Sequence, residues 1–161
     1  MDAAPVILRP ARPDDAGHVL RLVRALAEYE HLLAEVTATE QHFIAALFGP
    51  CPRAHAVLAW VDAQAVGFAL WYYTFSTFVG GPDLFLEDIF VEPAHRGTGI
   101  GRALFRHLAR TARDENCRRM EWRVLNWNRT SIDFYRSIGA RPMQDWTLQQ
   151  LDGPARAALA A

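Results

Sequence analysis

Apolar positions along this chain recur with two different periods. The longer period is helical. Val19, Leu22, Val23, Leu26 and Ala27 fall on one face, after the acids Asp14 and Asp15, and predict a helix running to about Glu30. Leu104, Phe105, Leu108, Ala109 and Ala112 repeat the pattern between about Gly99 and Asn116, opposite a stripe of Arg102, Arg106, Arg110 and Arg113. Thr39 to Phe48 reads as a shorter helix ended by Gly49, Pro50 and Pro52. Ile132, Tyr135 and Ile138 mark another, stopped by Gly139. The shorter period and the unbroken apolar runs are those of strands: Val6 to Leu8, Ala54 to Val61, Ala65 to Phe75, Leu84 to Val91 and Arg119 to Leu125. Arg141 to Leu151 reads as a final strand or strand pair around Trp146. Asp62-Ala63-Gln64 joins two strands as a hairpin, and Ser76 to Asp83 reads as a loop. Residues 154–161 are small and read as a frayed tail. The order β-α-α-β-β-β-α-β-α-β predicts an α/β protein, one domain over 1–161, with a mixed, mostly antiparallel sheet flanked by helices.

Composition narrows the function. About half of the 161 residues are hydrophobic, enough for a full core. A net charge of -1 gives no general attraction to nucleic acid or to a membrane surface, and no apolar run approaches membrane-spanning length. The N-terminus lacks a signal-peptide pattern, so the cytoplasm is the expected location. Cys51 and Cys117 are far apart and lack metal-ligand spacing; reduced thiols and no metal are expected. All 17 basic residues are arginine.

Candidate chemistry concentrates between Leu84 and Gly101. A strand ends before Pro93, and Gly97, Gly99 and Gly101 then lead into a helix. Glycines without Cβ beside the free N–H groups of a helix start form a seat for phosphate or pyrophosphate. With no lysine, the Walker loop is excluded, and the dinucleotide fingerprint fails at Arg102 or Leu104. The segment Arg96-Gly97-Thr98-Gly99-Ile100-Gly101 instead matches the Arg/Gln-x-x-Gly-x-Gly/Ala pattern. Together with Trp127-Asn128-Arg129-Thr130-Ser131-Ile132-Asp133-Phe134-Tyr135 and Gly139-Ala140, it resembles the GCN5-related N-acetyltransferase (GNAT) family. Arg9-Pro10-Ala11, Ala27-Glu28-Tyr29-Glu30 and Leu86-Glu87-Asp88 extend the likeness to its diamine acetyltransferases, the spermidine/spermine and thialysine types.

The resemblance implies an acetyl-CoA-dependent transfer to the primary amine of a small diamine, polyamine or thialysine-like molecule, and a homodimer. By position, Ile89, Phe90 and Val91 would face the pantetheine arm. Arg96, Gly97, Thr98, Gly99, Ile100, Gly101 and Arg102 would hold the pyrophosphate. Asn128 and Ser131 would touch the cosubstrate, with Tyr135 beside its sulfur. Tyr29, Glu30, Glu87, Glu121, Trp122 and Arg123 would lie toward the amine. Ser76 stands where polyamine-type relatives carry an aspartate, which favours a diamine or aminoethyl amino acid over spermidine. A coenzyme A-binding module without catalysis, or an enzyme acting on a protein amine, is the alternative.

An amine near pKa 10.4 is almost wholly protonated at pH 7, so the site must bind an ammonium and then take its proton. Glu87 and Asp88 are adjacent acids in an apolar strand, and regular alternation sends them to opposite faces. Glu87, raised by desolvation, is the expected base, with Asp88 supporting the ammonium. Tyr135 is the expected acid for the departing thiolate. No Cys–His or Ser–His–Asp arrangement suggests a covalent intermediate, so direct attack in a ternary complex is expected.

Overall fold

The computed structural model describes residues 5–161, and the chain divides into two compact units, 1–123 and 124–161. The first carries five strands in the order β1-β2-β3-β4-β5. These are β1 (Ile7–Pro10), β2 (His55–Val61), β3 (Gln64–Ser76), β4 (Gly81–Val91) and β5 (Met120–Trp122). The β1–β2, β2–β3 and β3–β4 pairs are antiparallel, and β4–β5 is parallel. Pro10 is tolerated because β1 is an edge strand with a neighbour on one side only.

The helices α1 (Ala16–Tyr29) and α2 (Glu40–Phe48) cover one face of the sheet. Val19, Leu22 and Leu47 pack there against Ala56, Leu58, Phe68, Leu70 and Phe90. The α2 start is capped by Thr39, whose hydroxyl accepts from the His42 amide at 3.4 Å. Before α1, the Asp15 carboxylate accepts from both terminal nitrogens of Arg9, at 2.8 and 3.0 Å, and from the Arg12 amide. Helix α3 (Ile100–Asp114) covers the opposite face, where its His107 meets Trp71 and its Phe105 meets Trp122.

Two hairpins differ from the sequence expectation in length. Between β2 and β3 only Asp62 and Ala63 turn the chain, both with positive φ (47° and 63°), as a tight hairpin of this twist requires. The segment read as a loop from Ser76 to Asp83 is mostly ladder: Ser76 faces Gly81 and Thr74 faces Asp83. The β3–β4 hairpin therefore projects further, with Phe78 at its tip almost fully exposed.

In the second unit, α4 (Arg129–Ser137) begins at Asn128, and Gly139 follows it at φ 92°. The strand expected at Arg141–Leu151 does not form among the described residues, and Met143, Trp146, Leu148 and Leu151 are exposed. Alternation alone makes no strand without a partner ladder. The tail read as frayed is a short helix, α5 (Gly153–Leu159), with Pro154 in its first turn where the missing N–H costs nothing. No helix among the described residues is long and apolar enough to cross a membrane.

Candidate active site

The register of β3 against β4 contains one irregularity, and it falls at the two acids. Leu70 pairs with Asp88, but the next residue, Trp71, pairs with Leu86. Glu87 is thus the extra residue of a β-bulge. Cross-strand partners share a face. Leu86 lies with Trp71 on the α3 side, whereas Asp88 lies with Leu70 on the α1 side. Glu87 stays on the α1 side as well, beside Tyr72, which pairs with Phe85. The expectation of opposite faces for Glu87 and Asp88 is corrected by the bulge, which interrupts the two-residue alternation at that point.

The environments of the two acids are also exchanged relative to expectation. Glu87 is exposed, and its carboxylate accepts from Arg123 Nη2 at 3.1 and 3.3 Å. Asp88 is mostly buried, and burial pushes its carboxyl up to about 6, helped by the negative charges of Glu87 and Glu30 and opposed by Arg123. Desolvation, argued from sequence for Glu87, acts on Asp88. Glu30 caps the end of α1, and burial raises its carboxyl too. Three acids from two elements, Glu30, Glu87 and Asp88, therefore influence one another on a single sheet face. That arrangement suits an ammonium and can accept its proton near neutral pH.

Downstream of Leu86, β4 loses its β5 neighbour, because the parallel pairing ends at Leu86–Trp122. Ile89, Phe90 and Val91 pair with Ala69, Phe68 and Gly67 on one side only, so their other edge can receive an extended arm. The Val91 carbonyl already accepts from Arg96 Nε at 2.9 Å. The Arg96 guanidinium also lies over the rings of Tyr29 (4.6 Å) and Phe90 (5.4 Å), so Tyr29, read as an amine contact, packs against the loop arginine. This cation–π contact was not legible in sequence, since 67 residues separate the two partners.

The glycine loop follows. Gly97 and Gly99 have φ of 77° and 91°, and a Cβ built on either meets no atom within 4 Å. The constraint there is backbone conformation, with open space above the loop. Gly99 is the N-cap of α3, and no side chain caps the helix. Thr98 is exposed, its hydroxyl donating to the His95 carbonyl at 2.7 Å. The N–H groups at Ile100, Gly101 and Arg102 begin the helix and form a donor set that fits a pyrophosphate.

The remaining expected residues divide. Glu121 is drawn to Arg119, 3.3 Å away, and Trp122 packs on Phe105. Ser76 pairs with Gly81, six residues before Glu87 on β4, or roughly 20 Å along the strand. The structure does not bring Ser76 to the acids, and it leaves the specificity argument. In the second unit, Asn128 is buried and its side chain accepts from the Ser131 amide at 3.2 Å, which makes it the cap of α4. Tyr135 lies within the same helix, next to Phe134. Among the described residues no group of three or more His, Cys, Asp or Glu could hold a metal ion.

The acetyltransferase (GNAT) family model matches residues 21–140, spanning the acids, the glycine loop and α4. The chain belongs to the GNAT acetyltransferase family. Members of the GNAT family use acetyl-CoA as cosubstrate, which fits the donor set of the loop. The chain is 35% identical to the thialysine N-epsilon-acetyltransferase of Sus scrofa over 98% of both chains. It is 34% identical to spermidine/spermine N(1)-acetyltransferase-like protein 1 of Homo sapiens over 83% of this chain and 20% of that one. An integron cassette protein from Vibrio cholerae has a similar fold, with TM-score 0.80 and 26% identity over 96% of this GNAT chain and 97% of its own.

Proposed function

We propose that this GNAT enzyme transfers the acetyl group of acetyl-CoA to a primary amine of a small diamine, polyamine or thialysine-like molecule, by direct attack in a ternary complex. The observation that carries the reading is Asp88, a mostly buried carboxylate raised to about 6 on the strand that leads into the glycine loop. The ammonium binds beside Glu30 and Asp88 and gives a proton to Asp88. The amine lone pair then forms a bond to the thioester carbonyl carbon. The tetrahedral intermediate collapses, the C–S bond breaks, the thiolate takes a proton from Tyr135, the acid that the family resemblance assigns, and the nitrogen releases its second proton, which restores the phenol. Backbone N–H groups freed by the bulge are suited to the oxyanion. Arg96, the loop glycines and Arg102 hold the pyrophosphate.

The enzyme acts as a homodimer, a reading supported by the exposed apolar side chains between Met143 and Leu151. The free thiols of Cys51 and Cys117 suit the reducing cytoplasm.

The test is thiol release from acetyl-CoA against a panel of small amines. Asp88→Asn lowers kcat by about 10² to 10⁴ with cosubstrate affinity kept, and Tyr135→Phe lowers turnover more than binding. Glu87→Gln costs less than Asp88→Asn; the reverse order would return the proton to Glu87.

A further inference from the structure

The fork between β4 and β5 holds a charge pair that acetyl transfer itself does not require. Arg123 stands one residue past the last β5 pair and reaches back to Glu87, the bulge residue of β4. Both of its contacts to the carboxylate come from one nitrogen, Nη2. The guanidinium lies over the Phe85 ring at 5.3 Å, and Phe85 packs against Tyr72 at 5.2 Å, so aromatic rings fix its plane from one side. An arginine presents five N–H donors. Among the described residues, the Nε and Nη1 hydrogens of Arg123 meet no acceptor, and its side chain is about half exposed.

A guanidinium at this place works against a polyamine. Every nitrogen of a polyamine at pH 7 is cationic, and a cation placed beside the acids reduces their pull on all of them. An amino acid with a side-chain amine has a different charge pattern. Its head carries a carboxylate and an ammonium on one carbon, and only its tail is a simple cation. The Arg123–Glu87 pair is the complement of that head, and a planar guanidinium suits a carboxylate with two parallel hydrogen bonds. Burial orders the two ends. Glu87 and Arg123 are exposed, whereas Asp88 is mostly buried. From Glu87 to Ile89, where the open edge of β4 begins, is two residues of strand, or roughly 7 Å. That is the reach of a side chain with four atoms between the α-carbon and its amine.

We propose that Arg123 and Glu87 form a receptor for the α-carboxylate and α-ammonium of an amino-acid substrate, whose side-chain amine is acetylated where the open edge of β4 begins at Ile89, just past Asp88. The inference rests on the acetyl-transfer reading above and names the substrate class of the same site. Arg123 contributes selectivity, and Glu87 serves the head of the substrate.

The experiment compares thialysine with its decarboxylated diamine, in the parent and in Arg123→Met and Arg123→Lys. The parent favours thialysine in kcat/KM. Arg123→Met lowers the thialysine-to-diamine ratio by about tenfold to a hundredfold, chiefly through KM, as loss of a charge-assisted hydrogen bond predicts. Arg123→Lys restores part of the ratio. An equal loss on both substrates, or a parent that favours the diamine, overturns the proposal. Calorimetry with norleucine, which has the head and no reactive amine, gives a readout independent of turnover. Binding to the parent that is lost in Arg123→Met supports the receptor, and equal binding to both proteins overturns it. A parent that binds norleucine in this way yet acetylates no amine would sink the acetyl-transfer reading alone.

Discussion

Asp88 carries opposite consequences for activity and for stability. Its carboxyl is raised from an ordinary 3.8 to about 6, so the folded protein holds that proton more tightly than the unfolded chain. Stability from this group is therefore present below about pH 4 and is lost as pH rises toward 6. At pH 7 the buried charge is a standing cost, and Asp88→Asn should stabilise the fold by about 1–3 kcal/mol while lowering turnover. Urea unfolding at pH 4 and pH 7 checks the sign: the gain appears at pH 7 and shrinks at pH 4. The acid limb of kcat/KM inflects near pH 6 in the parent, and the residual activity of Asp88→Asn lacks it. Sequence expected desolvation at Glu87, and the structure puts it on Asp88 instead. The adjacent acids in an apolar strand were visible, but which one is buried depends on the bulge, and the charges around it come from Glu30 and Arg123, far off in the chain; no local pattern encodes those.

Elements bounded by strong local chemistry were legible. Helices α1, α2 and α3 stand close to where their apolar periods and caps put them, and β2, β3 and β4 follow their apolar runs. The glycine loop was readable because its geometry is written in residues lacking Cβ. Gly99→Val should keep the fold and lose acetyl-CoA. The valine meets open space at φ 91° and is strained by roughly 1–2 kcal/mol, while its branches fill the volume a pyrophosphate needs. Circular dichroism and calorimetry separate the two effects, and unchanged affinity would reject the loop assignment. The β2–β3 turn offers the converse change. Ala63 sits at φ 63°, so Ala63→Gly should stabilise by about 1 kcal/mol, or roughly 2–4 °C in Tm. The β3–β4 loop was overestimated because Gly80, Gly81 and Pro82 read as breakers, although Gly81 and Pro82 pair at the turn end of a hairpin.

At the scale of the molecule, the segment from Arg141 to Leu151 marks where sequence and a single chain part company. Its alternation is that of a strand, yet the ladder that would complete it is absent among the described residues, and Trp146 and Leu148 are exposed. If a second copy covers these side chains, light scattering on the parent gives a dimer, and Trp146→Asp together with Leu148→Asp gives a monomer. A parent that is monomeric at micromolar concentration would remove the dimer. The bulge at Glu87 has a last consequence, for how this chain can change length over descent. Upstream of it Leu84 and Leu86 serve the layer under α3, and downstream Asp88 and Phe90 serve the layer under α1. Deleting one of the two acids would restore a regular ladder with both layers kept and one carboxylate lost, whereas deleting one residue anywhere else in β4 would turn one half of the strand inside out. Insertions and deletions should therefore accumulate at the hairpin tip around Phe78 and be purged from this strand, which makes the spacing from Leu86 to Gly97 a more faithful signature of kinship than the identity of any residue within it.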